Sequence, residues 1–231
     1  MNEIIRKRKS VRSYEMAGLD SATLEKIRAQ FASLTPLYPD IQYSIEIVNK
    51  TKGVFNIKAP HYLVFYSEKN EHAYENIGFI GQQMDLFFSE SGLGSCWLGI
   101  SKPEEKFTGK LQCIASMAFG KPAEPLYRDI SEFKRKTLCE ISEGKDERLE
   151  AARLAPSGMN RQNWYFVAEN SKIHCYLKKP SPLIESMFKR LACIDLGIAI
   201  CHLAKESSDF KFTKEDNGPQ RRGHVYVGTI H

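Results

Sequence analysis

No stretch of this 231-residue chain approaches the roughly 20 consecutive apolar residues that a bilayer-crossing helix needs, so no membrane partner is expected. The first residues carry no apolar leader core, and the expected location is a reducing cytoplasm. The six cysteines, at 96, 113, 139, 175, 193 and 201, form no C-x-x-C pair and no Cys/His spacing of a zinc site. Several sit in apolar runs, where a thiol packs as a small hydrophobe, and no metal is expected. Also missing are H-E-x-x-H, a phosphate loop and a Ser-His-Asp order. Gly92-Leu93-Gly94 falls short of a dinucleotide fingerprint, because Trp97 stands where the third glycine belongs. His61, His72, His174, His202 and His224 are scattered, which speaks for surface or packing rather than acid–base catalysis. Neither sign of charge dominates: 33 Lys+Arg against 28 Asp+Glu leave a net charge of +5. The short basic runs at 6–9 and 134–136 have no aromatic-rich nucleic-acid module beside them, and no nucleic-acid partner is expected.

What is present is the material of a globular core, with 42% hydrophobic residues. Asp20-Ser21 caps a predicted helix with Leu24, Ile27, Phe31 and Leu34 at helical spacing. Strands are predicted at 43–48, 62–66 and 114–120, with a long helix at 71–91 between the last two. A charged, proline-broken stretch at 121–144 reads as a connector. After it come a helix at 145–154, paired strands at 164–167 and 173–177, and a strand at 224–230. A second long helix is predicted at 181–207, with Ile184, Met187, Leu191, Ile194 and Ile198 among its apolar positions. The order of elements repeats. Lys7-Arg8-Lys9-Ser10 recurs as Lys134-Arg135-Lys136-Thr137, and Gly81 pairs with Gly197 in the long helices. The expected organisation is a half at 1–120, a connector at 121–144, and a more degenerate half at 145–231.

Between the helix ending at Leu154 and the strand at Trp164 lies a dense polar loop: Pro156, Ser157, Gly158, Asn160, Arg161, Gln162 and Asn163. Its amides both donate and accept, which suits a flat heteroaromatic ligand; composition alone is equally that of an ordinary αβ connection. The segment from Ala155 to Trp164 resembles the nitroreductase family's A-P-S-x-x-N-x-Q-P-W, with Asn163 in place of the usual proline. Arg8-Lys9-Ser10-Val11-Arg12-Ser13-Tyr14 resembles its N-terminal R-R-S-x-R-x-[FY]. Gly92-Leu93-Gly94-Ser95-Cys96-Trp97-Leu98-Gly99 resembles its G-L-G-S-C-W-x-G.

The resemblance implies an α+β nitroreductase-like fold, with two pseudo-symmetric halves of one chain forming an internal pseudo-dimer. It implies FMN as cofactor, NADH or NADPH as electron donor, and a nitroaromatic, quinone or similar flat molecule as the small-molecule electron acceptor. A flavin-binding or sensing protein without turnover is the alternative. For the phosphate it points to Arg8, Lys9, Ser10 and Arg12, then to Lys134, Arg135 and Lys136. For the ring and ribityl chain it points to Cys96, Trp97, Leu98 and Gly99, and to Pro156, Ser157, Asn160 and Gln162. No catalytic side chain is implied, since the flavin carries the chemistry. Because the intact arginine motif and the intact amide loop each occur once, the expectation is a monomer with one FMN.

Overall fold

The computed structural model describes residues 2–53, 57–99, 101–105, 107–179, 185–215 and 218–231, with backbone alone for 185–188. Helix α1 (Glu3–Lys7) starts where the Asn2 side chain accepts the Ile4 N–H, and α2 (Ser21–Phe31) where Asp20 accepts from Thr23. Then follow β1 (Tyr43–Val48), β2 (Thr51–Lys52), β3 (His61–Ser67), α3 (Ala73–Glu90), β4 (Gly94–Leu98), β5 (Lys102–Pro103) and β6 (Gln112–Gly120). The remaining elements are α4 (Leu138–Ile141), β7 (Ser142–Gly144), α5 (Leu149–Leu154), β8 (Trp164–Glu169), β9 (Lys172–Lys178), α6 (Glu185–Lys205), β10 (Phe212–Thr213) and β11 (His224–Ile230).

Two main sheets form, each from its own part of the chain. The first runs β1-β3-β6-β4, antiparallel throughout. The second runs β10-β11-β9-β8-β7, with β7 parallel to β8. Leaving β7 aside, β8-β9-β11-β10 repeats the order β1-β3-β6-β4. The β8–β9 connection turns on Asn170 and Ser171, both in the left-handed region at φ 50° and 62°, as a tight hairpin requires.

Between the sheets α3 packs on α6, and glycine sets the distance. A Cβ on Gly78 would lie 2.1 Å from the Ile194 carbonyl oxygen; one on Gly197 would lie 2.0 Å from that of Glu75. The two contacts are reciprocal, and both pairs (78 with 197, 75 with 194) share one offset. Gly81, the expected partner of Gly197, instead lies against the ring of Trp97. The repeated basic tetrads differ as well. The first follows its short helix α1, whereas the second precedes α4, so residues 9–13 run free of helix while Leu138–Ile141 is helical.

Other expectations shift at their edges. The helix expected from 145 begins at Leu149, after a turn in which Asp146 binds Arg148. Part of the connector is tied to the first sheet's neighbourhood, through bridges from Tyr127 to Arg8 and from Pro122 to Tyr14. In the second long helix Ile184 lies outside the described residues, and of Met187 only the backbone is described.

The segment after α1 decides where the site lies. Val11 N–H donates to Ser95 O at 2.9 Å, laying residues 9–14 along β4. Tyr14 Oη–H donates to Val11 O at 2.6 Å, and Val11, Tyr14, Tyr62, Leu98 and Ala118 share a small apolar cluster. The outer face of the first sheet is thereby covered, which explains why all seven residues of β3 are buried.

Candidate functional site

Two adjoining chambers open where this strap, β4 and the polar loop meet. The first is a cavity of about 500 Å³, within the range of small-molecule sites. Cys96, Trp97, Leu98 and Gly99 line it from the first half, and Pro156 to Met159 from the second. Leu191, Ile194, Asp195 and Ile198 of α6 close its side. A Cβ on Gly99 would stand 2.6 Å from Leu191 Cδ2, so a side chain there would push that leucine aside. Ser10, Arg12, Pro156, Ser157 and Met159 also line the second chamber, of about 430 Å³. That chamber adds Lys9, Arg128, Arg135 and Asn160, together with Glu124 and Glu132. A mostly apolar slot thus continues into a basic pocket.

The basic pocket holds more positive charge than its own acids balance. Lys9 Nζ pairs with Glu124 at 3.1 Å, and the same carboxylate accepts the backbone N–H groups of Arg12 and Ser13. Burial first, then neighbouring guanidinium groups, press the Arg128 and Arg135 pKa values downward; Arg8 acts on both. Crowded guanidinium groups that repel one another mark a place where an anion is favourable. Ser10 adds a hydroxyl.

The loop stands on local bonds. Met159, Asn160 and Gln162 are held at φ 52°, 55° and 50°, a region side chains rarely occupy. Gln162 N–H donates to Ser157 Oγ at 3.0 Å, and Asn160 Oδ1 accepts from Arg135 Nη1 at 2.7 Å. Gly158 N–H donates to Asp195 Oδ1 at 2.8 Å.

The structure brings eleven of the fifteen sequence-predicted residues to the two chambers and places four elsewhere. Arg8 is fully buried, with Nε 2.9 Å from Asp85 Oδ2, and lines neither chamber. The reason is local: Arg8 still belongs to the helix end, its N–H bonded to Ile4 O, so its side chain turns inward. Gln162 is 2% exposed and is spent on the loop, accepting Lys136 N–H at 2.9 Å and donating to Asn160 O at 3.0 Å. Lys136 Nζ is held by Arg161 O at 2.6 Å, and Lys134 offers only its carbonyl, to Asn160 Nδ2. Arg128 and Asp195 are site residues the sequence reading missed. An acid within an apolar helical stripe was the available signal for Asp195; Arg128 had none, since contacts far away in sequence bring it in, its N–H on Lys7 O at 2.9 Å and its Nε on Arg8 O at 3.1 Å.

Behind the site a buried polar network joins both halves. Asp85 accepts from Ser95 Oγ at 2.7 Å and Gln82 Nε2 at 2.8 Å. Gln82 Oε1 accepts the Trp97 indole N–H at 3.1 Å, and its amide nitrogen lies 3.0 Å from His202 Nε2. That nitrogen only donates, so His202 Nε2 accepts and Nδ1 carries the proton toward Ala151 O, 2.9 Å away. Burial takes the His202 pKa down to about 3, keeping the ring neutral.

Among known proteins, the family model described as "Putative TM nitroreductase" matches residues 1–207. The chain is similar to a solved structure from Thermotoga maritima described as a putative nitroreductase. Identity is 20% and the TM-score 0.68, covering 99% of this chain and 91% of that one. It is also similar to a nitroreductase family protein from Clostridium difficile (17% identity, TM-score 0.49, 61% of this chain and 96% of that one). A further similar structure is an FMN-dependent nitroreductase from Clostridium difficile (18% identity, TM-score 0.44, 58% and 96%). No curated protein matches the chain in sequence. At such identities structural likeness speaks for the fold alone: a nitroreductase-like α+β architecture. Among the described residues no helix is long and apolar enough to cross a membrane.

Proposed function

The chain belongs to the nitroreductase family whose model spans its residues 1–207, and from that membership we propose that it is an FMN-dependent oxidoreductase with a single cofactor site. The observation that carries this is the continuity of the apolar slot with the basic pocket. FMN is a flat three-ring system at one end and a phosphate dianion at the other, and the donor set fits both ends. When bound, it supplies hydride transfer at N5, from NADH or NADPH to a nitroaromatic, quinone or similar flat acceptor.

Arg12, Arg128, Arg135 and Lys9 would hold the phosphate, with the Ser10 hydroxyl as a further donor. Trp97 to Gly99 and Pro156 to Met159 would sandwich the ring from opposite halves of the chain. Arg8 acts one step behind, tying the strap to α3 through Asp85. Leu191, Ile194 and Ile198 keep water from the ring's flank.

The reading extends to assembly. The shared strand order, the reciprocal glycine contacts and two matching helix-to-loop anchors support an internal pseudo-dimer descended from duplication. In those anchors Gly158 N–H bonds Asp195, and Tyr38 N–H bonds Asn76. Beside α3, where a mate of the site would fall, a cavity of about 510 Å³ is lined by Thr35 to Leu37 and by Phe79, Phe210 and Phe212, and its described lining holds Lys205 and Lys211 but no arginine. Tyr38 stacks on His72 at 4.6 Å and meets Phe212 edge-on at 5.7 Å, while Phe79 stacks on Phe210 at 5.6 Å. One site per chain and a monomer follow from that reading, and six free cysteines agree with a reducing cytoplasm.

The test is the absorption spectrum of the purified protein, with the flavin identified after release, followed by anaerobic mixing with NADH and NADPH. A flavin spectrum bleached by either donor supports the reading. A flavin bleached by neither leaves a flavin-binding protein without turnover. Failure to bind added FMN would sink the proposal.

A further inference from the structure

Four residues of α6 face the apolar chamber at helical spacing, Leu191, Ile194, Asp195 and Ile198. Three are hydrocarbon and one is an acid. Asp195 is 5% exposed, and its Oδ1 accepts the Gly158 N–H at 2.8 Å. This bond fixes the Ser157–Asn160 turn onto α6, yet it needs only an oxygen. On α3 the corresponding residue is Asn76, whose Oδ1 accepts the Tyr38 N–H at 3.0 Å. A neutral amide therefore does the anchoring in the other half, without the cost of a buried charge. The acid at 195 adds something the anchor does not require, an ionisable group on the wall of the slot.

Resting on the flavin reading above, we propose that Asp195 is a positioning residue that takes up a proton as the ring enters the slot, so that cofactor affinity falls as pH rises. A flat ring displaces water from the chamber and leaves the carboxyl facing a less polar surrounding, which disfavours its ionised form. Little nearby opposes this. The polar loop contributes the Gly158 N–H and Arg161, which favour the carboxylate. The strap contributes Arg12 and β4 the Cys96 thiol, both lining the same chamber. On α6 itself Cys193 is close by, and Glu75 of α3 reaches that thiol. Burial already lifts the Asp195 carboxyl to about 7, so the added desolvation acts in the range where the group titrates. Protonated, the carboxyl can also donate a hydrogen bond to a ring carbonyl or nitrogen, which the carboxylate cannot do.

Isothermal titration of the full chain with FMN, between pH 7 and pH 8.5 in two buffers of different ionisation enthalpy, tests this. The FMN phosphate is almost fully ionised there, its second pKa being about 6. The wild type is expected to take up as much as one proton per FMN, and its Kd to rise by up to about tenfold per pH unit. Asp195→Asn, which keeps the acceptor for Gly158, is expected to bind with no proton uptake and a flat Kd. The wild-type proton count decides on its own should the variant fail to fold. FMN binding without proton uptake, or with equal uptake in Asp195→Asn, overturns the proposal alone. No FMN binding by the wild type overturns the flavin reading and this proposal together.

Discussion

Replacing Gly197 by alanine sets two effects of opposite sign against each other. In an exposed helix the change is stabilising, by about 1 kcal/mol, because alanine loses less backbone freedom. Here the new Cβ would sit 2.0 Å from the Glu75 carbonyl oxygen, where ordinary contact begins at 3.4 Å. The obstacle is backbone, so no side chain can swing aside, and α3 and α6 must part by more than an ångström. A gap of 0.5–1 Å already forfeits roughly a quarter to a half of the dispersion attraction across it. Overpacking of this kind costs about 1–3 kcal/mol and occasionally more. The helix pair is the centre of the molecule, which puts the cost at the upper end of that range, and a net loss of about 2 kcal/mol is expected after the propensity gain. Gly78→Ala, at 2.1 Å from the Ile194 carbonyl oxygen, opens the same crossing from the other side. Once one alanine has spread the helices the second finds room, so the double variant should cost little more than either single one. Urea unfolding followed by tryptophan fluorescence reads this well, since Trp97 and Trp164 report on the two sheets. Single variants as stable as the wild type, or single losses that add fully, would refute the shared close crossing.

Arg12→Ala should weaken FMN binding by about 1.5–3 kcal/mol in fluorescence titrations, with its unfolding midpoint little changed; Arg135→Ala should weaken binding similarly and also lower the midpoint, since Arg135 holds Ala155 O and Asn160 Oδ1. Arg8→Ala should instead lower stability by about 3–5 kcal/mol, because it strands the Asp85 carboxylate unpaired in the interior; retained stability would show the ion pair idle. Asp195 binds its proton more tightly folded, at about 7, than at its ordinary 3.8. Its carboxyl therefore costs stability progressively from about pH 4 upward, levelling off above pH 7. Asp195→Asn should match the wild type near pH 4 and exceed it at pH 8 by up to about 4 kcal/mol, measured as urea midpoints; an unchanged difference across that range would count against it. Light scattering with flavin quantification should find a monomer carrying one FMN; a stable dimer refutes the assembly reading, and two flavins per chain refute the single site.

The long elements were legible because burial imposes a period on them. α3, β3, β8 and β9 stand within two residues of their expected bounds, since each packs a continuous apolar face. β4 and β7 were not, being five and three residues long and defined by partners far away in sequence. In the site, both signature segments arrive at one cavity although about 140 residues separate Ser10 and Arg12 from Pro156 and Ser157. The motif could not separate Arg8 from Arg12. An extended reading points all its alternate residues one way, but the chain leaves α1 only at Arg8, so the first arginine turns into the core and the second lies exposed on the strap. Gln162 shows the same limit: an amide that could contact a ligand is used to hold a left-handed backbone.

Each main sheet is completed by contiguous chain, the first by residue 120, and this bears on synthesis. Translation proceeds at about 5–20 residues per second, so the first sheet and α3 precede the end of the chain by several seconds at least. During that interval the face of α3 carrying Gly78 has no α6 to cover it. The buried Gln82, which later meets His202, faces solvent or a chaperone. The apolar chamber does not yet exist, because its second wall, from Pro156 to Ile198, has still to emerge. On the flavin reading, the cofactor can therefore act only after residue 198 has emerged, as a clamp on closure rather than a template for it. Slow elongation through 121–184 would lengthen the period in which the nascent chain is open to aggregation.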